Sequence, residues 1–114
     1  MSPSAVTTHV LDAGVGRPAA GVPVSLEGPA GVIASATTDG DGRVRDLGPA
    51  ALVPGIYRLR FDTGAYFAAT GTRGFYPEVV VTFEIDGSGA SSADAHLHVP
   101  LLLSPYGYST YRGS

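Results

Sequence analysis

Two runs in which large apolar residues recur at every second position limit what this chain can fold into. Tyr57, Leu59 and Phe61 alternate with Arg58, Arg60 and Asp62. Val79, Val81, Phe83 and Ile85 alternate with Val80, Thr82 and Glu84. A period of two puts every second side chain on one face of an extended strand, so each run predicts a strand with one buried side. Val22, Val24 and Leu26 repeat the pattern against Pro23, Ser25 and Glu27. Further short apolar stretches run from Val6 to Leu11, Val32 to Thr38, Arg43 to Leu47, His96 to Ser104 and Tyr106 to Gly113. Between them fall 16 glycines and 9 prolines, the spacing of an all-β domain with frequent turns.

Seven or eight such strands imply two packed sheets. Gly64 to Thr70 has the one helix-friendly composition, and a single short helix is predicted there. Asp86 to Ala93 reads as a Gly/Ser loop. Pro100 lies within a predicted strand and removes one ladder donor, so its nitrogen should face away from a partner strand or toward a subunit boundary. With 114 residues the chain is read as one domain, 1–114. A domain this small hides roughly 60–70% of its unfolded surface, so self-association would add burial that one copy lacks.

Charge and absences narrow the function. Seven arginines are scattered along a chain of net charge −3, which is no footprint for nucleic acid. No apolar run approaches the length of a membrane span, and the start lacks the basic and apolar parts of a secretion signal. The expectation is therefore a cytoplasmic protein without nucleic-acid or membrane partners. Cysteine is absent, which removes disulfides, thiolate nucleophiles and cysteine-bound zinc. Lysine is absent too, which removes Schiff-base chemistry. Proton transfer is left to three histidines, the carboxylates, the tyrosines and the hydroxyls.

His96 and His98 are two apart on a predicted strand, so both rings leave one face while Leu97 and Val99 leave the other. Such a pair serves either as a polar surface or as an acid/base or metal-binding group. The metal reading finds only His9 as a further nitrogen ligand and no His-Glu-x-x-His. Asp39-Gly-Asp-Gly42 opens like a calcium loop, but Arg43 and Ala50 stand where oxygen ligands are required. Gly87-Ser-Gly89 lacks the Gly-x-Ser-x-Gly of a nucleophile elbow. Taken singly, His9 fits a satisfied strand residue and Arg43 an exposed turn residue. The tyrosine-dense stretch from Ser104 to Ser114 reads as a strand held in place rather than a solvated tail.

Taken together these residues resemble the 5-hydroxyisourate hydrolases, the transthyretin-like proteins. The likeness runs through Thr8-His-Val-Leu-Asp12, Gly16-Arg-Pro-Ala19, Thr38-Asp-Gly-Asp-Gly-Arg43 and Phe75-Tyr-Pro-Glu78. It is strongest from His96 to the closing Tyr111-Arg-Gly-Ser114, the mark of the enzyme in this family. The resemblance implies a prealbumin-like sandwich of two four-stranded sheets with one short helix, assembled as a homotetramer whose sites lie where dimers meet. It implies hydrolysis of 5-hydroxyisourate, with water opening a ring amide to give the ureidoimidazoline carboxylate OHCU, and no metal or organic cofactor. By the same resemblance, His9, Arg43, His98 and Ser114 are the catalytic group, and His9, Arg43, Tyr111 and His96 contact substrate. In that scheme His98, assisted by Ser114, activates water; Arg43 pairs with the anionic ring, and His9 hydrogen-bonds or protonates it. Transthyretin, a hormone carrier, resembles the chain in Leu102-Leu-Ser-Pro-Tyr106, so a small-ligand carrier is the alternative. A non-catalytic sandwich module is the third.

Overall fold

The computed structural model describes residues 4–86 and 96–113. Their strands are β1 (Val6–Asp12), β2 (Arg17–Pro18), β3 (Pro23–Gly28), β4 (Gly31–Thr37), β5 (Arg43–Val44), β6 (Gly55–Phe61), β7 (Val79–Ile85), β8 (Leu97–Ser104) and β9 (Gly107–Thr110). One helix, α1 (Thr63–Ala69), follows β6. They form two sheets, one ordered β2-β1-β8-β9 and the other β4-β3-β6-β7. The expected two-sheet sandwich with one short helix is present. The first sheet carries β5 as a brief fifth strand, because β2 and β5 pair with successive parts of the same edge of β1.

Alternation decides which residues meet between the sheets. Tyr57, Leu59 and Phe61 on β6 and Val24 and Leu26 on β3 are buried, as are Val6 and Val10 on β1 and Leu101 and Leu103 on β8. At roughly 1.5–3 kcal/mol for each large apolar side chain removed from water, this layer is the main favourable term in folding. The β3–β4 hairpin turns at Pro29-Ala30, and Gly31 closes it at φ +123°, where an L-residue is strained. Asp62 caps α1 by accepting the Ala65 N–H at 3.0 Å. The helix buries Tyr66 and Phe67 and is tied to β1 by a 2.7 Å hydrogen bond from the Tyr66 hydroxyl to Asp12 Oδ2.

Most boundaries shift by a residue or two, and the larger differences are instructive. The short strand at Arg43 stops at Val44 rather than Leu47, and the helix starts one residue early, at Thr63. The last strand ends at Thr110, although Gly113 rejoins the sheet by an isolated bridge to His98. Pro100 explains that gap. The carbonyls of His98 and Pro100 accept from Gly113 N and Thr110 Oγ1 respectively, so both face the β9 side. The proline nitrogen faces that side too and has no hydrogen to give, and pairing lapses between Thr110 and Gly113. Most of the predicted Gly/Ser loop falls at 87–95, outside the described residues, as does Ser114.

Candidate active site

The first sheet turns a polar face away from the core. On β1, Val6, Thr8, Val10 and Asp12 point inward, so Thr7, His9 and Leu11 point outward. β8 runs parallel to β1, with Thr7 opposite His98 and His9 opposite Pro100. Leu97, Val99, Leu101 and Leu103 take the inner face, which leaves His98 on the outer one beside Thr7. β5 adds Arg43 directly opposite His9 on the other edge of β1. Three elements far apart in sequence therefore bring His9, Arg43 and His98 onto one surface.

Arg43 owes its place to the turn before it. Thr38, buried, donates to Ala19 O at 2.6 Å and accepts from Val22 N at 2.9 Å, which fixes where the turn starts. The Asp39 carboxylate then accepts the N–H groups of Asp41 at 2.9 Å and Arg43 at 3.0 Å. The Arg43 N–H, and after it the Asp41 N–H, hold the Asp39 carboxyl below its ordinary pKa against the upward pull of burial. The Asp-x-Asp-Gly sequence thus spends its first carboxylate on its own backbone. Gly42 closes the turn at φ +76° with its carbonyl accepting Val10 N at 2.7 Å. A Cβ on Gly42 would stand 2.4 Å from the Val10 carbonyl oxygen, so only glycine lets the turn lie against β1.

A recess of about 480 Å³ opens on this face, lined by Thr7, Thr8, Arg43, Val44, Arg45, His96 and His98. Among the described residues its ionisable lining is two guanidiniums and two imidazoles, a set that suits an anion. Thr7 Oγ1 lies 2.8 Å from His98 Nδ1 and 3.0 Å from His96 Nε2. His98 is half-buried, and its pKa is lowered from the ordinary 6.5, first by burial and then by the charges of Arg43, His9 and His96. A ring with that environment is neutral near pH 7 and has a lone pair to offer. With Nδ1 occupied by Thr7, Nε2 is the atom left to meet a ligand.

Of the residues singled out in the sequence, Arg43, His96 and His98 line the recess. His9 shares the face and bears on His98 electrostatically. Tyr111 lines a separate recess, with Val81, Phe83, Leu97 and Val99, at the open edge between the two sheets. Within one chain it is not brought to the histidines. Ser114 lies outside the described residues; Gly113, just before it, donates its N–H to the His98 carbonyl at 2.7 Å. Thr7 and Arg45 escaped the sequence reading. Each is two residues from a residue already suspected, His9 or Arg43, and that spacing on a strand was the available signal.

Known proteins resemble this chain in both sequence and fold. The sequence profile of the HIUase/Transthyretin family matches residues 6–113. A 5-hydroxyisourate hydrolase of Caulobacter vibrioides is 46% identical, over 97% of this chain and 99% of its own length. One from Salmonella typhimurium is also 46% identical, over 96% of this chain and 80% of its own. Among solved structures, Klebsiella pneumoniae 5-hydroxyisourate hydrolase superposes with a TM-score of 0.86 at 38% identity, each chain fully covered. Transthyretin from Sparus aurata superposes at 0.82 with 30% identity, over 95% of both chains.

Proposed function

The chain belongs to the HIUase/Transthyretin family, and from that premise we propose that it is a hydrolase that opens the ring of 5-hydroxyisourate in urate degradation. The single observation that carries the reading is the recess on the outer face of the first sheet. There a neutral half-buried imidazole, His98, stands among cationic side chains with Nε2 available. The transthyretin fold is shared by carrier and enzyme, so fold similarity supports both. The carrier reading gives no reason for a depressed imidazole beside a guanidinium.

Hydrolysis of a ring amide needs a base for water, a partner for the developing oxyanion, and a hold on a flat polar substrate. His98 takes the proton from water at Nε2 as the water oxygen bonds to the ring carbonyl carbon. Arg43 pairs its planar fork with the anionic ring and the oxygen that gains charge. His9, opposite Arg43 on β1, donates to the ring. His96 lines the same recess. Ser114 follows Gly113, which is hydrogen-bonded to His98, and in this reading its hydroxyl helps to orient the water. Tyr111 contacts substrate through a neighbouring subunit of a homotetramer, the assembly that the family resemblance implies, and small size favours self-association in general. We place the enzyme in the cytoplasm and treat 1–114 as one catalytic domain. Among the described residues, no helix is long and apolar enough to cross a membrane.

The test generates 5-hydroxyisourate in the cuvette with urate oxidase and follows its ultraviolet decay with and without this protein. Micromolar protein is expected to accelerate the decay. A rate indistinguishable from the spontaneous one overturns the hydrolase reading.

A further inference from the structure

We propose that Thr7 is a proton relay between the imidazoles of His98, on β8, and His96, just before it, so that the proton His98 takes from water is stored on His96. The inference deepens the hydrolase reading and rests on it. Thr7 stands opposite His98 in the parallel ladder, and its hydroxyl oxygen is 2.8 Å from His98 Nδ1 and 3.0 Å from His96 Nε2. Thr7 is buried, so these contacts are not loose surface encounters.

A threonine hydroxyl has one hydrogen, so it donates to one ring and accepts from the other. The three groups then form a directional chain with two states. In the first, His98 Nδ1–H donates to Thr7 and Thr7 donates to His96 Nε2, which leaves His98 Nε2 with a lone pair. In the second, His96 Nε2–H donates to Thr7, Thr7 donates to His98 Nδ1, and His98 Nε2 carries a hydrogen. The first state presents a base to the recess and the second an acid.

Hydrolysis uses both. Water gives its proton to His98 Nε2 as its oxygen bonds to the carbonyl carbon. The Nδ1 proton of His98 passes to Thr7 Oγ1, and the hydroxyl's own proton passes to His96 Nε2. His98 ends neutral, Thr7 has the proton count it began with, and His96 becomes an imidazolium. When the ring C–N bond breaks, the leaving nitrogen takes the proton on His98 Nε2. The stored proton returns from His96 through Thr7 to His98 Nδ1, and the first state is restored.

Placement favours this division. Among the described residues, the charged or titratable groups around His98 are His96 just before β8, His9 on β1, Arg43 on β5 and Arg45 beyond it, all able to be cationic. Among the described residues that line the recess, no carboxylate offsets an imidazolium at His98. Within one copy His96 is exposed and His98 half-buried, so a charge is better solvated on His96 than on His98.

Thr7→Val, Thr7→Ser, His96→Gln and the double variant Thr7→Val/His96→Gln test the relay. Both single losses are expected to lower kcat about tenfold or more, as for an acid/base group partly disabled, with KM unchanged. Thr7→Ser is expected to restore kcat. The double variant should be no worse than either single one, because the two groups act in series. Wild-type kcat in both single variants, losses that multiply in the double one, or a rise in KM alone would each overturn the relay. A second arm reads the bridge without turnover. In ligand-free protein above pH 7.5, nitrogen NMR is expected to find both rings protonated at Nδ1, with His96 moving to Nε2–H in Thr7→Val. Rings of opposite tautomer in the wild type would overturn the bridge. Paired tautomers in a wild type that leaves 5-hydroxyisourate untouched would sink the hydrolase reading instead.

Discussion

In the proposed mechanism His98 works only while neutral, and its surroundings say over what pH that holds. Burial and then the charges of Arg43, His9 and His96 disfavour the imidazolium, so the folded pKa lies below 6.5. The base form is therefore populated at pH 6.5 and above, and kcat/KM is expected to fall as pH drops through the folded value. Stability follows the same sign: the contribution from His98 is complete above 6.5 and is lost as pH falls through the folded pKa. Arg43→Gln removes one of the charges but not the burial, so the His98 pKa should rise and remain under 6.5. Histidine NMR titration of the two proteins checks this, and an unchanged or lower value in Arg43→Gln would contradict it. At this scale the sequence was partly legible. The i, i+2 spacing of His96 and His98 was enough to place both rings on one face. That Thr7 would stand between them depended on β1 pairing in parallel with a strand some 90 residues away, which no local pattern encodes.

Elements hold these side chains in place, and two single changes measure how firmly. Gly42→Ala puts a Cβ where the backbone is left-handed and the Val10 carbonyl is 2.4 Å away. The left-handed conformation alone costs about 1–2 kcal/mol for an L-residue, so urea unfolding should show a loss of at least that size. Arg43 is the next residue, so substrate KM should rise as well. Tyr66→Phe removes the hydroxyl that donates to the buried Asp12 carboxylate and joins α1 to β1. Leaving that carboxylate short of a donor is expected to cost about 1–3 kcal/mol, read as a lower urea midpoint at unchanged slope. A midpoint equal to wild type in either variant would contradict the corresponding contact. The strands with clean alternation, β6 and β7, were legible almost to the residue because one face of each is buried. β5 was not, since its two residues are set by the Asp39 turn and by the edge of β1 rather than by propensity. The last strand was drawn too long because the missing donor of Pro100 acts on its partner, not on itself.

The whole molecule poses the question of assembly. In a single copy the histidine recess is an open concavity, and Tyr111 faces another one. The homotetramer implied by family resemblance predicts a solution mass near four times the 11.6 kDa of one chain by light scattering, and a monomer at micromolar concentration would contradict it. Architecture by itself does not separate carrier from enzyme, since a transthyretin and a hydrolase superpose on this chain almost equally well. In the proposed reading they are separated by His9, Arg43 and His98 on one outer face, and function is therefore tested there. The decisive measurement compares the decay of freshly generated 5-hydroxyisourate in wild type, His98→Asn and Arg43→Gln, each checked for native unfolding behaviour. The account predicts fast decay with wild type and a loss of about hundredfold or more in kcat/KM for both folded variants. Full activity in folded His98→Asn would contradict it.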